Sequence, residues 1–500
     1  MSGNNKASSA RAARIHPLTD DYAARAIRPC YPTLSSPARS VAASQSSNRI
    51  AYGGIFLFTL LLYIRPNELF PEVLGTFPLS RIVACVTVLA YLASKLGSGE
   101  RLTIAPLELK LLGVIAFLGV AFAPLAAAPS DSFNLLLDMF IKVIIIFVLM
   151  VNVITTRDRL RSMMKLVVVC GAIFAVLAIK SYVVGDFTVV EKANVGVVGL
   201  RISGVVGGFF GNPNDIAVSL DLLLPLAIAL ALTSRGVKRL FYFLCGAILI
   251  AGVIVTFSRG GFLGLLVMGA MLLWKAGRHK RVLAFLACAV IFGVFLAAMP
   301  SGYAGRVSSI FNISEDPTGS SQARRELLDR ATNVAVHHPV IGVGMGNFHI
   351  YSIHEQVAHN SYLEIAAELG VAGLVCYVLF ILAPFRPLRK LERETELQAS
   401  PPGVGTNGNN GEIHYFAIAM QGVLLAYIVC SFFGSIEYQW FLYYPVAYAI
   451  ALRRIYEAEQ AASVVAVATS AASNGKPVQP RGVIWKSRGV WEREEEPRAE

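Results

Sequence analysis

The sequence predicts an all-α, polytopic integral membrane protein with about twelve transmembrane helices and one long extracytoplasmic loop. Three observations predict it. The chain is 55% hydrophobic and only 15% charged, with a mean hydropathy of +0.58, and a soluble protein needs a far more polar surface. Apolar runs long enough to cross about 30 Å of hydrocarbon recur along its length. Basic residues fall in alternate connections between those runs, the charge asymmetry of a multi-span protein.

Taken in order, residues 1–48 are polar and rich in Ala, Ser and Arg. They lack an apolar core followed by a small-residue cleavage site, so they read as a disordered cytoplasmic tail and not a signal peptide. Residues 49–299 hold nine expected spans, near 50–64, 79–96, 105–128, 133–154, 166–184, 214–233, 240–257, 260–274 and 282–299. Residues 300–358 form the extracytoplasmic loop. Three further spans, near 361–385, 413–434 and 437–452, fill 359–453. Between the first two, residues 394–412, with PPGVGTNGNNG, read as a flexible loop, and 454–500 as a second disordered cytoplasmic tail.

With the N-terminus cytoplasmic, the basic clusters fall on the cytoplasmic side at every turn. They are Lys95 and Arg101; Arg157, Arg159, Arg161 and Lys165; Arg235, Lys238 and Arg239; Lys275, Arg278, Lys280 and Arg281; and Arg386, Arg389, Lys390 and Arg393. The net charge of +12 therefore reports topology, and the partner it implies is the lipid bilayer, not nucleic acid. Cys30, Cys85, Cys170, Cys245, Cys288, Cys376 and Cys430 have neither disulfide nor metal spacing.

This topology leaves a small set of polar groups on the outer face. In HNSYLEIAAELGVAG, His359 to Gly373, Ser361 and Glu364 have capping-box spacing, which predicts a helix from about residue 362 with His359 just ahead of it. A helix N-terminus disfavours imidazolium, so His359 would stay neutral and able to accept a proton. The bland alternative is an interfacial histidine bonded to backbone. The 300–358 loop adds Arg306, Arg324, Arg325, Arg330, His337, His338, His349 and His354, a positive cluster on the side that topology disfavours.

Several of those groups lie in SSQARRELLDRATNVAVHH, an amphipathic stretch with Leu327, Leu328, Ala331 and Val334 at helical spacing. A surface helix lying on the membrane is its plain reading, and Arg324 is its best candidate for a bidentate anion contact. Arg259 in TFSRGG sits at the outer edge of two spans, where charge is costly unless paired or used. Gly260 and Gly261 beside it would let a polar ligand approach the backbone, a snorkelling arginine being the alternative. Gly342, Gly344 and Gly346 in PVIGVGMGNF have no preceding strand and no following Lys-Ser/Thr, so they read as a turn and not a nucleotide loop. Asn212, Pro213, Asn214 and Asp215 in GNPNDIA read as helix capping, with Arg201 just upstream as a third external cation. Asp138 and Lys142, four apart, read as a self-neutralising pair.

With these residues in view, the chain resembles the O-antigen ligase and polymerase superfamily of bacterial envelope glycosyltransferases. GNPNDIA, TFSRGG, the arginine stretch running to GNF, and HNSYLEIAAELGVAG occur in the family's order. The last fits its pattern of His-Asn, nine residues, Gly, two residues, Gly, at His359, Asn360, Gly370 and Gly373. Leu328 departs from an aromatic common at that place. The resemblance implies a GT-C-like bundle in the bacterial inner membrane, a polyprenyl-diphosphate-linked glycan as donor, and no cofactor or metal. It further implies that Arg259 and Arg324 hold the diphosphate and that His359 is the catalytic base; Arg201, by its position, is a third external anion contact, and Ser258, Gly260, Asn360, Gly370 and Gly373 are supporting residues. The acceptor is left open: another glycan (polymerase), lipid A core (ligase) or a protein hydroxyl (O-oligosaccharyltransferase). An anion transporter is the competing class, although transporters place polar sites near the midplane.

Overall fold

In the computed structural model of the chain, the described residues are 49–66, 78–99, 101–192, 196–202, 212–276, 320–352, 355–398 and 408–473, with positions 72, 282, 286 and 289. Most of the expected span 282–299, both chain ends, Arg306 and His354 lie outside them. The helices are α1 (Arg49–Ile64), α2 (Leu79–Ser98), α3 (Leu107–Phe122), α4 (Pro129–Leu135), α5 (Ile141–Val153), α6 (Arg157–Val184), α7 (Pro213–Leu232), α8 (Gly236–Val255) and α9 (Arg259–Lys275). Then follow α10 (Ser320–His337), α11 (Phe348–Tyr351), α12 (Ser361–Leu382), α13 (Phe385–Gln398), α14 (Gly408–Cys430) and α15 (Trp440–Ser473).

Among the described residues, 8 helical segments are long and apolar enough to cross a membrane. A π-helical turn, Leu136–Phe140, joins α4 and α5 into one of these rods. The shorter α1 is also apolar, and α9 and α15 occupy the expected spans 260–274 and 437–452. The all-α polytopic class therefore stands, while the count of twelve is not reached among the described residues. Three details differ from expectation. Residues Phe187–Lys192 (β1) and Gly196–Ile202 (β2) pair as an antiparallel hairpin, Thr188 opposite Arg201; their β-branched residues suit a pleated ribbon. Helix α13 runs on to Gln398 and α14 begins at Gly408, so helix takes up both ends of the expected 394–412 loop. Helix α15 continues to Ser473, well past the expected boundary at 453, through an alanine-rich stretch of high helix propensity.

Burial grades the bundle from centre to lipid. The apolar window of α7 is 83% buried and that of α2 only 11%, so α7 is the central post and α2 an outer one. Around α7 pack α6, α8, α9 and α14. Small residues allow the close approach: a Cβ on Gly252 of α8 would lie 2.7 Å from Ala175 Cβ of α6, and one on Gly261 of α9 would lie 2.5 Å from Ala217 Cβ of α7.

The two ends of the bundle differ in kind. At one end, basic residues assigned to cytoplasmic connections find acidic partners: Arg161 with Glu412 at 2.8 Å, Lys275 with Glu392 at 2.5 Å, and Arg157 with Glu459. At the other, connections pack on one another. Ala127 N–H donates to Val343 O at 3.0 Å and Ser132 Oγ to Met345 O at 2.8 Å, which fastens the α3–α4 connection and α4 to the turn after α10.

Candidate active site

Asn360, not Ser361, caps α12. Its backbone is extended and its Oδ1 accepts from Tyr362 N–H at 3.0 Å and Leu363 N–H at 3.1 Å, so the helix starts at Ser361. The expected Ser361–Glu364 capping box does not form, because both side chains are engaged by the α14–α15 connection, residues 431–439. Ser361 Oγ donates to Gly434 O at 2.8 Å and accepts from Ile436 N–H at 3.0 Å, and its own N–H donates to Ser431 O at 2.9 Å. Glu364 Oε2 accepts from Ala358 N–H at 3.1 Å and from Ser435 Oγ. Half-buried His359 sits between these fixed points with φ of 54°, in the left-handed region. A non-glycine residue there is strained and needs neighbours that hold it.

The same local geometry opens α9. Phe257 has φ of 56°, Ser258 is the N-cap and accepts from Gly261 N–H at 3.3 Å, and Arg259 is the first helical residue. Gly260 and Gly261 do not leave room for a ligand, contrary to expectation. A Cβ on Gly260 would lie 2.7 Å from Phe433 Cβ, so Gly260 admits the 431–439 connection and Gly261 admits α7. Arg259 and His359 thus stand at two helix starts that grip one connection, through Phe433 and Gly434. Arg259 is half-buried there.

Arg324 lies in α10. Leu327, Ala331 and Val334 are buried, and Ala331 and Val334 form a small core with Val343, Phe348, Ala358 and Ala367. The apolar face of α10 therefore covers α12 and Ala358, the residue before His359. Arg324 is half-buried, whereas Arg325 and Arg330 are exposed. Arg201 stands in β2 opposite Thr188.

The glycines of the family pattern have a mechanical role. Gly370, with φ 68° and ψ −169°, breaks α12. Val371 N–H, released from the helix, donates to Pro339 O at 2.8 Å. The loosened carbonyls of Ala367 and Glu368 accept from Val343 N–H at 2.9 Å and Gly344 N–H at 3.0 Å. The PVIGVGMGNF segment is thus a turn, as read from sequence, and what it binds is the break in α12. Gly373 lies against Leu369, whose Cβ would be 2.3 Å from a Cβ there. GNPNDIA also follows its capping reading: Asn212 caps α7, its Oδ1 accepting from Asn214 N–H at 3.0 Å. Asp138 and Lys142 pair at 3.2 Å.

Sequence reasoning missed a group of buried carboxylates. Glu368, one turn beyond Glu364, accepts from Phe348 N–H at 3.2 Å and Tyr438 O–H at 2.8 Å, linking the turn, α12 and the 431–439 connection. Glu437 in that connection is 3% exposed, and its Oε2 has no hydrogen-bond partner among the described residues. Burial, with the Glu368 carboxylate nearby, raises Glu437 from its ordinary 4.5 to about 8. Asp221, fully buried in α7, accepts from Cys430 Sγ at 3.7 Å. Acidic residues inside apolar runs were the available signal.

Fold and geometry together define a multi-pass membrane protein with paired helix starts, one carrying histidine and one arginine, at the end of the bundle away from its ion pairs. Residues 244–378 match the family model described as O-antigen ligase. Over those residues the chain is similar to that family, in accord with the resemblance carried by its sequence motifs. Among solved structures, a chain from a peptidoglycan synthase complex that coordinates polymerization and crosslinking covers 69% of this chain and 96% of its own. Its identity is 16% and its TM-score 0.38, too loose a likeness to bear on mechanism. Among curated proteins, none matches the chain.

Proposed function

We propose that the protein transfers a glycan from a polyprenyl diphosphate to an acceptor hydroxyl at the outer face of the bacterial inner membrane, with both of its termini cytoplasmic. The observation that carries this reading is the attachment of the His359 and Arg259 helix starts to one connection, with α10 packed against α12 and Ala358 beside them. The acceptor oxygen attacks C1 of the donor sugar, its proton passes to the His359 imidazole, and the C1–O bond to the diphosphate breaks. The leaving polyprenyl diphosphate is already anionic, so guanidinium groups of Arg259 and Arg324, with Arg201, stabilise it without acid catalysis or a metal ion. Ser258 and Asn360 set the two helix starts; Gly260, Gly370 and Gly373 allow the packing around them. One displacement at C1 inverts the anomeric configuration. The acceptor is a glycan, lipid A core or a protein hydroxyl, and all three use this one donor site.

His359→Ala tests the reading directly in proteoliposomes supplied with lipid-linked glycan extracted from a strain lacking this gene. Loss of transfer by at least about 100-fold is expected for removal of the general base; transfer at the wild-type rate sinks the assignment. Arg259→Lys and Arg324→Lys keep charge but lose the planar fork, so transfer falls about tenfold or more in each. Unchanged kinetics in both would return these arginines to ordinary interfacial anchors.

A further inference from the structure

The backbone around His359 is held from two sides by different means. Downstream, Asn360 caps α12 and Ser361 is bonded to Ser431, Gly434 and Ile436. Upstream, beside the packing of Ala358 in the small core with α10, one carboxylate oxygen ties the backbone: Glu364 Oε2 receives both Ala358 N–H and Ser435 Oγ. Ala358 is fully buried and Glu364 only 5% exposed, so water does not readily replace either bond. Between them His359 keeps its left-handed φ of 54°, a conformation that persists only when its surroundings over-determine it.

We infer that Glu364 is a positioning residue for His359, fixing the imidazole by tying Ala358 to Ser435 of the α14–α15 connection. The inference rests on the reading of His359 as proton acceptor. Without the upstream tie, His359 can relax to negative φ, which reorients its ring. The helix itself stays capped, because Asn360 acts independently of Glu364. A purely architectural Glu364 would instead lower the melting temperature and yield while leaving the turnover of folded protein unchanged.

The test uses the full-length protein in proteoliposomes, the extracted lipid-linked glycan for turnover, and undecaprenyl diphosphate alone for binding. Glu364→Ala is expected to lower kcat about 10- to 100-fold, the scale of a displaced catalytic group, with KM for the extract and affinity for undecaprenyl diphosphate unchanged. Glu364→Gln recovers most of that loss, since an amide oxygen still accepts from both donors. Ser435→Ala, which cuts one leg of the tie without burying a cavity the size of a glutamate, lowers kcat about threefold or more. It decides the matter if Glu364→Ala does not fold. Wild-type kcat in Ser435→Ala, or in folded Glu364→Ala, overturns the inference. If those variants turn over normally while His359→Ala is inactive, only the positioning role fails. If His359→Ala is itself active, the proton-acceptor reading fails first.

Discussion

At the residue scale, the site depends on groups whose neighbours are more informative than their own sequence context. Asn360 illustrates it: the capping box read from Ser361 and Glu364 is displaced by one residue, because the Ser361 hydroxyl is taken by Gly434 and Ile436. Asn360→Ala removes the acceptor for two N–H groups and should cost about 1 kcal/mol of stability, whereas Asn360→Asp should cost little; melting curves in one detergent compare them. Glu437 gives a second prediction, with a definite sign. Its folded-state value of about 8 lies above its ordinary 4.5, so between those values the unfolded chain releases a proton that the folded chain retains. This contribution to stability is full below about pH 4.5 and is lost as pH rises toward about 8. The melting temperature should fall between about pH 5 and pH 8, and Glu437→Gln should flatten the slope; parallel curves for the two proteins would refute the assignment. Sequence showed that His359 and Arg259 sit at helix mouths. It could not show the carboxylate group behind them, because Glu437 joins Glu364 and Glu368 only when the 431–439 connection folds over α12.

At the element scale, the break in α12 is the controlling feature. In sequence, Gly370 is one of 42 glycines, and a single glycine in a helical pattern is ordinarily just tolerated. In the fold, its left-handed backbone frees carbonyls that the PVIGVGMGNF turn then caps, and that turn in turn holds the α3–α4 connection. The freed groups therefore face protein and do not line an open ion site. Gly370→Ala meets two obstacles at once: a Cβ 2.6 Å from Pro339 O, and φ of 68° that alanine disfavours. A loss of about 2 kcal/mol or more is expected. Gly269→Ala, where nothing lies within 4 Å of a new Cβ, should be neutral or slightly stabilising. Thermal melts of the two variants side by side check the contrast. The hairpin Phe187–Ile202 escaped the sequence reading for the opposite reason: its strands are 6 and 7 residues long, too short to compete with the helical signal on either side.

At the scale of the whole molecule, charge alternation along the chain and ion pairing in the fold are independent observations that agree. Arg157, Arg161 and Lys275, assigned to cytoplasmic connections by the bias of basic residues, meet Glu459, Glu412 and Glu392 at one end of the bundle. The turn after α10, the α3–α4 connection and the 431–439 connection gather at the other. The bundle architecture was legible because span length and loop charge are local quantities, set by bilayer thickness and by the topology bias. Which end faces outward follows from the charge bias alone, and it decides whether the proposed donor can be reached. Arg325 on α10 and Arg393 on α13 are both exposed, so cysteines placed there in a background lacking the native thiols report the two faces. A membrane-impermeant maleimide added to intact spheroplasts should label Arg325→Cys and leave Arg393→Cys unmodified until the membrane is opened. The reverse pattern would put Arg259 and His359 on the cytoplasmic side, away from any acceptor beyond the membrane, and the transfer reaction proposed for them could not take place at the outer face.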